Sequence, residues 1–131
     1  MYTEYLLKPL GDERGYLAAI ESGVTIPIEV KRIYYMFGTA EGIVRGRHAH
    51  RKLRQFAVCI TGSCNVTLDD GDTTETRKLD NHLKCVSLDP MIWHEMSEFS
   101  SDCVLLVLAD DHYDESDYIR DYKEFLELVK S

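Results

Sequence analysis

Gly42-Ile43-Val44-Arg45-Gly46-Arg47-His48-Ala49-His50-Arg51-Lys52-Leu53-Arg54-Gln55, continuing through residues 56–61 to Gly62, is the stretch on which the reading of this chain turns. As an extended strand it puts His48 and His50 on one face, because side chains alternate with period two. Two imidazoles are then held side by side with little loop entropy to overcome. Histidine is the side chain whose ordinary pKa suits proton transfer near neutrality. A lone histidine is more often a satisfied core residue; a pair at this spacing points to chemistry. Arg45, Arg47, Arg51, Lys52 and Arg54 surround the pair with no acid among them. In a chain of net charge -8, such a concentration of cations suits an anionic small ligand. Basic residues also guard exposed strand edges, and charge alone leaves both readings open.

Outward from this segment, short apolar or alternating runs are separated by turn residues, the pattern of a β-sandwich or barrel. Strands are expected over residues 16–20, 31–37, 45–50, 55–61, 63–68, 74–79, 84–88 and 104–109. Asp69-Asp70-Gly71-Asp72 marks a hairpin turn, since Asp and Gly tolerate positive φ. Gly62 breaks the run between Ile60 and Cys64, and Ile26-Pro27-Ile28 reads as a loop or extended edge. The tail has helical period: Tyr118, Ile119, Tyr122, Phe125, Leu126 and Val129 share one face. An amphipathic helix is expected over residues 117–130, capped by Asp114 or Ser116.

At 131 residues the chain is expected to be a single domain, residues 1–131. Its acidity argues against a nucleic-acid partner. No apolar run approaches the ~20 residues of a membrane span, and the N-terminus lacks the character of a signal peptide. A cytoplasmic protein is therefore expected, with Cys59, Cys64, Cys85 and Cys103 as buried free thiols.

The His segment resembles the first motif of the cupin superfamily: Gly, five residues, His-x-His, three or four residues, Glu, six residues, Gly. Gly42, His48, His50 and Gly62 match in register, while Gln55 replaces the glutamate. Pro90 and His94 match the second motif loosely, one residue too close. The fold implied is an all-β cupin jelly-roll β-barrel with a C-terminal amphipathic helix. A His-His-Glu-His set would suit a transition metal; Gln55 and the neighbouring cations argue against one, so no metal and no cofactor are expected.

A closer resemblance covers nearly the whole chain. Arg14-Gly15-Tyr16-Leu17, the run from Ile28 to Tyr35, the run from Arg45 to Leu53, Trp93-His94-Glu95-Met96 and Tyr113-Asp114-Glu115-Ser116-Asp117-Tyr118-Ile119-Arg120 are similar to the dTDP-4-keto-6-deoxyglucose 3,4-ketoisomerases. These cupin enzymes make precursors of 3-amino-3,6-dideoxyhexoses, sugars of surface glycans such as lipopolysaccharide O-antigen or S-layers. The resemblance implies a dTDP-linked 4-keto-6-deoxyhexose substrate, a homodimer with exchanged N-terminal strands, and catalysis by His48 and His50. His50 is the expected principal base and His48 its partner. Arg32, Arg45 and Lys52 are candidates for the diphosphate or sugar oxygens. Tyr34 and Tyr35 lie on opposite strand faces, so one of them at most joins the site. Gln55 is a candidate to bind substrate or orient an imidazole, Trp93 and His94 to line the barrel mouth, and Arg14 to influence the face of reprotonation. Rival readings are a metal-dependent cupin, a sugar 3,5-epimerase and a non-catalytic nucleotide-sugar-binding cupin.

Overall fold

In the computed structural model, which describes residues 1–131, two five-stranded antiparallel sheets face each other. In chain order the strands are β1 (Glu4–Leu6), β2 (Leu10–Asp12), β3 (Gly15–Leu17), β4 (Arg32–Met36), β5 (Arg45–His50), β6 (Gln55–Thr61), β7 (Cys64–Asp69), β8 (Thr74–Leu79), β9 (Lys84–Leu88), β10 (Trp93–Ser97), β11 (Val104–Ala109) and β12 (Tyr118–Ile119), followed by helix α1 (Tyr122–Lys130). One sheet has the order β1-β9-β6-β11-β4 and the other β12-β5-β10-β7-β8; β2 and β3 form a separate hairpin. This is the cupin jelly roll that the His segment implied.

Burial explains the sequence pattern strand by strand. Ala57, Cys59, Val86, Leu88, Leu105 and Val107 face the other sheet and close the main core with Val66, Leu68 and Met96. The opposite side chains of the same strands, Phe56, Val58 and Leu108, are covered by Leu7, Ile26 and Ile28 of the N-terminal segment. Strands buried on both faces read as continuous apolar runs, as β6 and β11 do. The four cysteines are free thiols inside these layers. A third, smaller cluster joins Ala49, Trp93 and Ile119 to Phe125 of α1 on the outside of the second sheet.

The helix begins later than its periodicity suggests. Asp121 caps it, accepting the Lys123 N–H at 2.9 Å, and Phe125 is its buried anchor. Tyr118 and Ile119 are instead claimed by the free edge of β5, pairing with His50 and Ala49. A short 3-10 helix, Glu115–Asp117, precedes them, with Asp114 accepting the Ser116 N–H as its cap. Strand pairing outcompetes helix here because an unpaired edge leaves a row of backbone groups to satisfy.

Four further elements differ from the expected strands. The first expected strand shortens to Gly15–Leu17, and β10 and the three-residue strands β1 and β2 lie outside the expected runs. Three residues are too few to show a period in β1. The run Trp-His-Glu-Met-Ser of β10 does not alternate cleanly, because its inner face shares His94 of the site with Met96 of the core and its outer face mixes Trp93 with the half-buried Glu95 and Ser97. No helix is long and apolar enough to cross a membrane.

Candidate active site

The site begins with an irregularity in β5. Across the β5–β10 pair, His94 faces His48 and Glu95 faces Gly46, so Arg47 is an extra residue, a β-bulge. Gly46 has φ 85° and Arg47 φ 58°. A Cβ at Gly46 would sit 2.9 Å from the His94 carbonyl oxygen and 3.2 Å from the Met96 sulfur, so only glycine fits. Arg47 is thereby turned outward, its Nε 3.8 Å from Glu95 Oε1, while His48 and His50 enter the space between the sheets.

His94 joins them from β10. The ring centroids of His48 and His50 are 4.9 Å apart, those of His48 and His94 4.6 Å, and those of His50 and His94 6.1 Å. The His48 Nδ1 lies 3.0 Å from the Gly46 carbonyl, which can only accept, so Nδ1 carries the hydrogen and Nε2 is free. The His50 Nδ1 lies 3.2 Å from Asp117 Oδ2. Tyr118 packs on both rings, at 4.9 Å from His48 and 4.4 Å from His50, with the Arg120 guanidinium 4.2 Å over its outer side.

Two cavities open here, of about 330 Å³ and about 200 Å³. His50 and Lys52 line the larger; His48, His94, Tyr34 and Arg45 line the smaller. Arg32 and Tyr118 are common to both and form the wall between them. Gln55 is buried and accepts the Tyr34 hydroxyl at 2.7 Å. Arg32 Nε, Gln55 Nε2 and His94 Nδ1 are buried without a protein partner.

Thus Arg32, Tyr34, Arg45, Lys52, Gln55 and His94 gather around the histidine pair. Three expected residues do not. Tyr35 alternates to the outer face, 59% exposed and packed against Phe37 at 5.8 Å. Trp93 alternates away from His94 and lies against α1, its ring 5.2 Å from Tyr122 and 5.7 Å from Phe125, so it is a wall of the outer cluster. Arg14 sits at the exposed β2–β3 turn, ion-paired with Asp12 at 2.6 Å, and lines neither cavity. Sequence reasoning missed Asp117 and Tyr118, which it had placed in the helix. The one local signal was the density of acids and tyrosines from Tyr113 to Tyr118.

The electrostatics follow from crowding. Burial pushes His50 down to about 4, helped by the neighbouring His48 and Arg32 and opposed by Asp117. Burial likewise pushes His94 down to about 3, and lowers His48 against the pull of its Gly46 hydrogen bond. Burial raises Tyr34 to about 12, so its phenol stays protonated. The three imidazoles have nitrogens within 4.8 Å of one another and are the residues able to hold a cation. Their chemistry fits one poorly: no carboxylate completes the set, Gln55 gives its oxygen to Tyr34, and Arg32 shares the space.

The profile of the FdtA family (WxcM-like, C-terminal) matches residues 3–130. The chain belongs to this family. A relative from Aneurinibacillus thermoaerophilus, TDP-4-oxo-6-deoxy-alpha-D-glucose-3,4-oxoisomerase, is 49% identical over 122 residues, 93% of this chain and 88% of that protein. Among solved structures, a 3,4-ketoisomerase from Helicobacter canadensis is 40% identical, covering 99% of this chain and 98% of that one, with a TM-score of 0.96. A histidine-to-asparagine variant of the 3,4-ketoisomerase QdtA from Thermoanaerobacterium thermosaccharolyticum, in complex with TDP-4-keto-6-deoxyglucose, is 36% identical, with 98% and 94% of the chains covered and a TM-score of 0.96.

The depressed histidines make stability depend on pH with a definite sign. Their folded pKa values lie below the unfolded value near 6.5, so the unfolded chain takes up protons first as pH falls. The contribution is complete above about pH 6.5 and is lost toward the folded values. Thermal melts should therefore show Tm falling from pH 7 to pH 5, with a shallower fall in His94→Gln; a Tm flat over that interval contradicts neutral burial.

Proposed function

We propose that this chain is an isomerase, a sugar 3,4-ketoisomerase that converts dTDP-4-keto-6-deoxy-D-glucose to a dTDP-3-keto-6-deoxyhexose. The observation that carries the reading is the pair of desolvated imidazoles packed 4.9 Å apart, each lining one of two adjoining cavities, in a chain whose relatives bear that activity. The product serves the biosynthesis of 3-amino-3,6-dideoxyhexoses, and the enzyme works in the cytoplasm as a single cupin domain.

The reaction removes a proton from carbon 3, beside the carbon 4 ketone, and gives an enediol. Reprotonation at carbon 4 leaves the ketone at carbon 3. Oxidation of one carbon is matched by reduction of its neighbour, so electrons balance within the sugar. His50 Nε2 takes the carbon-bound proton; a neutral imidazole is the competent form, and burial keeps it so. His48, 4.9 Å away, moves protons between the two sugar oxygens or orients the ring. Arg32 supplies donors for the oxygen that gains charge, while the Tyr34 hydroxyl gives its one proton to Gln55 Oε1 and holds that amide in place. The unpaired buried Arg32 Nε and Gln55 Nε2 are groups that a hydroxyl- and carbonyl-rich ligand would satisfy. Arg45 and Lys52 suit the diphosphate.

The working form is a homodimer with exchanged N-terminal strands. β4 is a sheet edge whose outer face exposes Ile33 and Tyr35 with Phe37 just beyond, and the β2–β3 hairpin exposes Leu10, Tyr16 and Leu17. Apolar edges left open associate, and exchange would carry Arg14 away from its own chain's cavities.

His50→Asn should lower turnover of dTDP-4-keto-6-deoxyglucose at least about 10²–10⁴-fold, and wild-type activity should survive exhaustive chelation. Retained turnover in the variant removes His50 from the chemistry; activity lost on chelation and restored by a metal supports the metal-cupin reading. For the dimer, light scattering should report two chains per particle and one for Tyr35→Glu. A monomeric wild type with full activity contradicts the exchange.

A further inference from the structure

Asp117 has so far been a neighbour of His50 with no task. Its surroundings are unusually prescribed for a residue in a short turn. Oδ1 accepts the Lys52 N–H at 2.9 Å, Oδ2 accepts the Leu53 N–H at 3.1 Å, and its carbonyl accepts the Arg51 N–H at 3.0 Å. Three consecutive backbone donors that follow His50 thus hold both the main chain and the carboxylate of Asp117. The remaining capacity of Oδ2 is turned to His50 Nδ1, 3.2 Å away, across 67 residues of sequence. The side chains of His50 and Asp117 are 3% and 16% exposed, so water competes little for the contact.

A carboxylate can only accept, and an imidazole nitrogen facing it must carry hydrogen. The contact therefore selects the Nδ1–H tautomer of His50 and leaves the lone pair on Nε2. It also places a negative charge against the ring when the ring becomes cationic. His48 provides a comparison within the same site: its Nδ1 is held by the Gly46 carbonyl, a neutral backbone group that no side-chain substitution removes. One histidine is oriented by a dipole and the other by a charge, which distinguishes their tasks. The ring backed by the charge is the one suited to hold a proton taken from carbon.

We propose that Asp117 is a positioning residue for the proton transfer: it fixes His50 with Nε2 as the basic nitrogen and stabilises the imidazolium formed when the carbon 3 proton arrives. The proposal rests on the ketoisomerase reading of the site. No covalent bond to the protein forms. The proton passes from carbon 3 to His50 Nε2, and Asp117 stays ionised throughout.

The test is Asp117→Asn. The amide removes the negative charge behind the ring, and in either orientation its NH2 meets a backbone N–H of Lys52 or Leu53, so it cannot hold His50 as the carboxylate does. Turnover should fall about 10²–10⁴-fold, since an amide behind a catalytic histidine has cost about 10⁴ elsewhere. The Kd for TDP, measured by calorimetry, should hold within about threefold, because recognition of nucleotide does not use this tautomer. Nitrogen-15 NMR of labelled histidine supplies a readout that a merely structural role would not move. The His50 signals, assigned by their loss in His50→Asn, should report Nδ1–H in the wild type, with that preference weakened or reversed in Asp117→Asn and the His48 pattern unchanged. An Nε2–H tautomer at His50 in the wild type overturns the proposal even if the variant fails to fold. So does an Asn variant that turns over at the wild-type rate. A wild type without ketoisomerase activity sinks the functional reading alone, because the tautomer experiment needs no turnover.

Discussion

Three imidazole rings pack against one another where there is too little solvent to charge them, and this constraint organises the molecule around them. Histidines on two adjacent strands, within 4.6–6.1 Å ring to ring, repel one another if protonated. Burial is the larger penalty on the charged forms, and with it His50 and His94 fall to about 4 and about 3. A neutral imidazole at working pH is a base with a free lone pair, and the fold keeps His48 and His50 side by side at the meeting of two cavities. Folding stability is spent on this arrangement as acidity rises, a cost that functional sites commonly carry.

The rest of the architecture can be read as what it takes to hold that cluster. The doubly covered first sheet supplies a rigid wall, with Gln55 of β6 and Tyr34 of β4 hydrogen-bonded to each other across the intervening β11. The bulge at Gly46 and Arg47 turns the strand so that one arginine leaves and two histidines enter. The last part of the chain returns to close the edge of β5, and in doing so brings Asp117 and Tyr118 onto the rings. Helix α1 anchors that return through Phe125 against Trp93. Sites built on strands and backed by packed elements hold their geometry more tightly than sites on free loops.

How much of this was legible depended on range. The Gly42, His48, His50, Gly62 spacing lies within two consecutive strands, their connection and their immediate flanks, and local alternation correctly placed both histidines on a common face. Alternation also says that Trp93 and His94, being adjacent, cannot both face inward; the structure gives that place to His94. Asp117 and Tyr118 were hidden because their partners are more than sixty residues away, and an edge strand needing pairs overrode their helical period. The bulge was hidden too, since Gly46 shows its purpose only against the His94 carbonyl across the sheet. Local pattern reveals which residues share a face; it does not reveal what crosses to meet them.

The most direct test of proton transfer by the imidazoles follows hydrogen at the sugar carbons themselves. Wild type and His50→Asn are each incubated with dTDP-4-keto-6-deoxyglucose in deuterated water and followed by proton NMR. The account predicts that the wild type moves the ketone with deuterium entering at carbon 4, while the variant leaves the hydrogen at carbon 3 in place. Exchange at carbon 3 by the variant at the wild-type rate would contradict it.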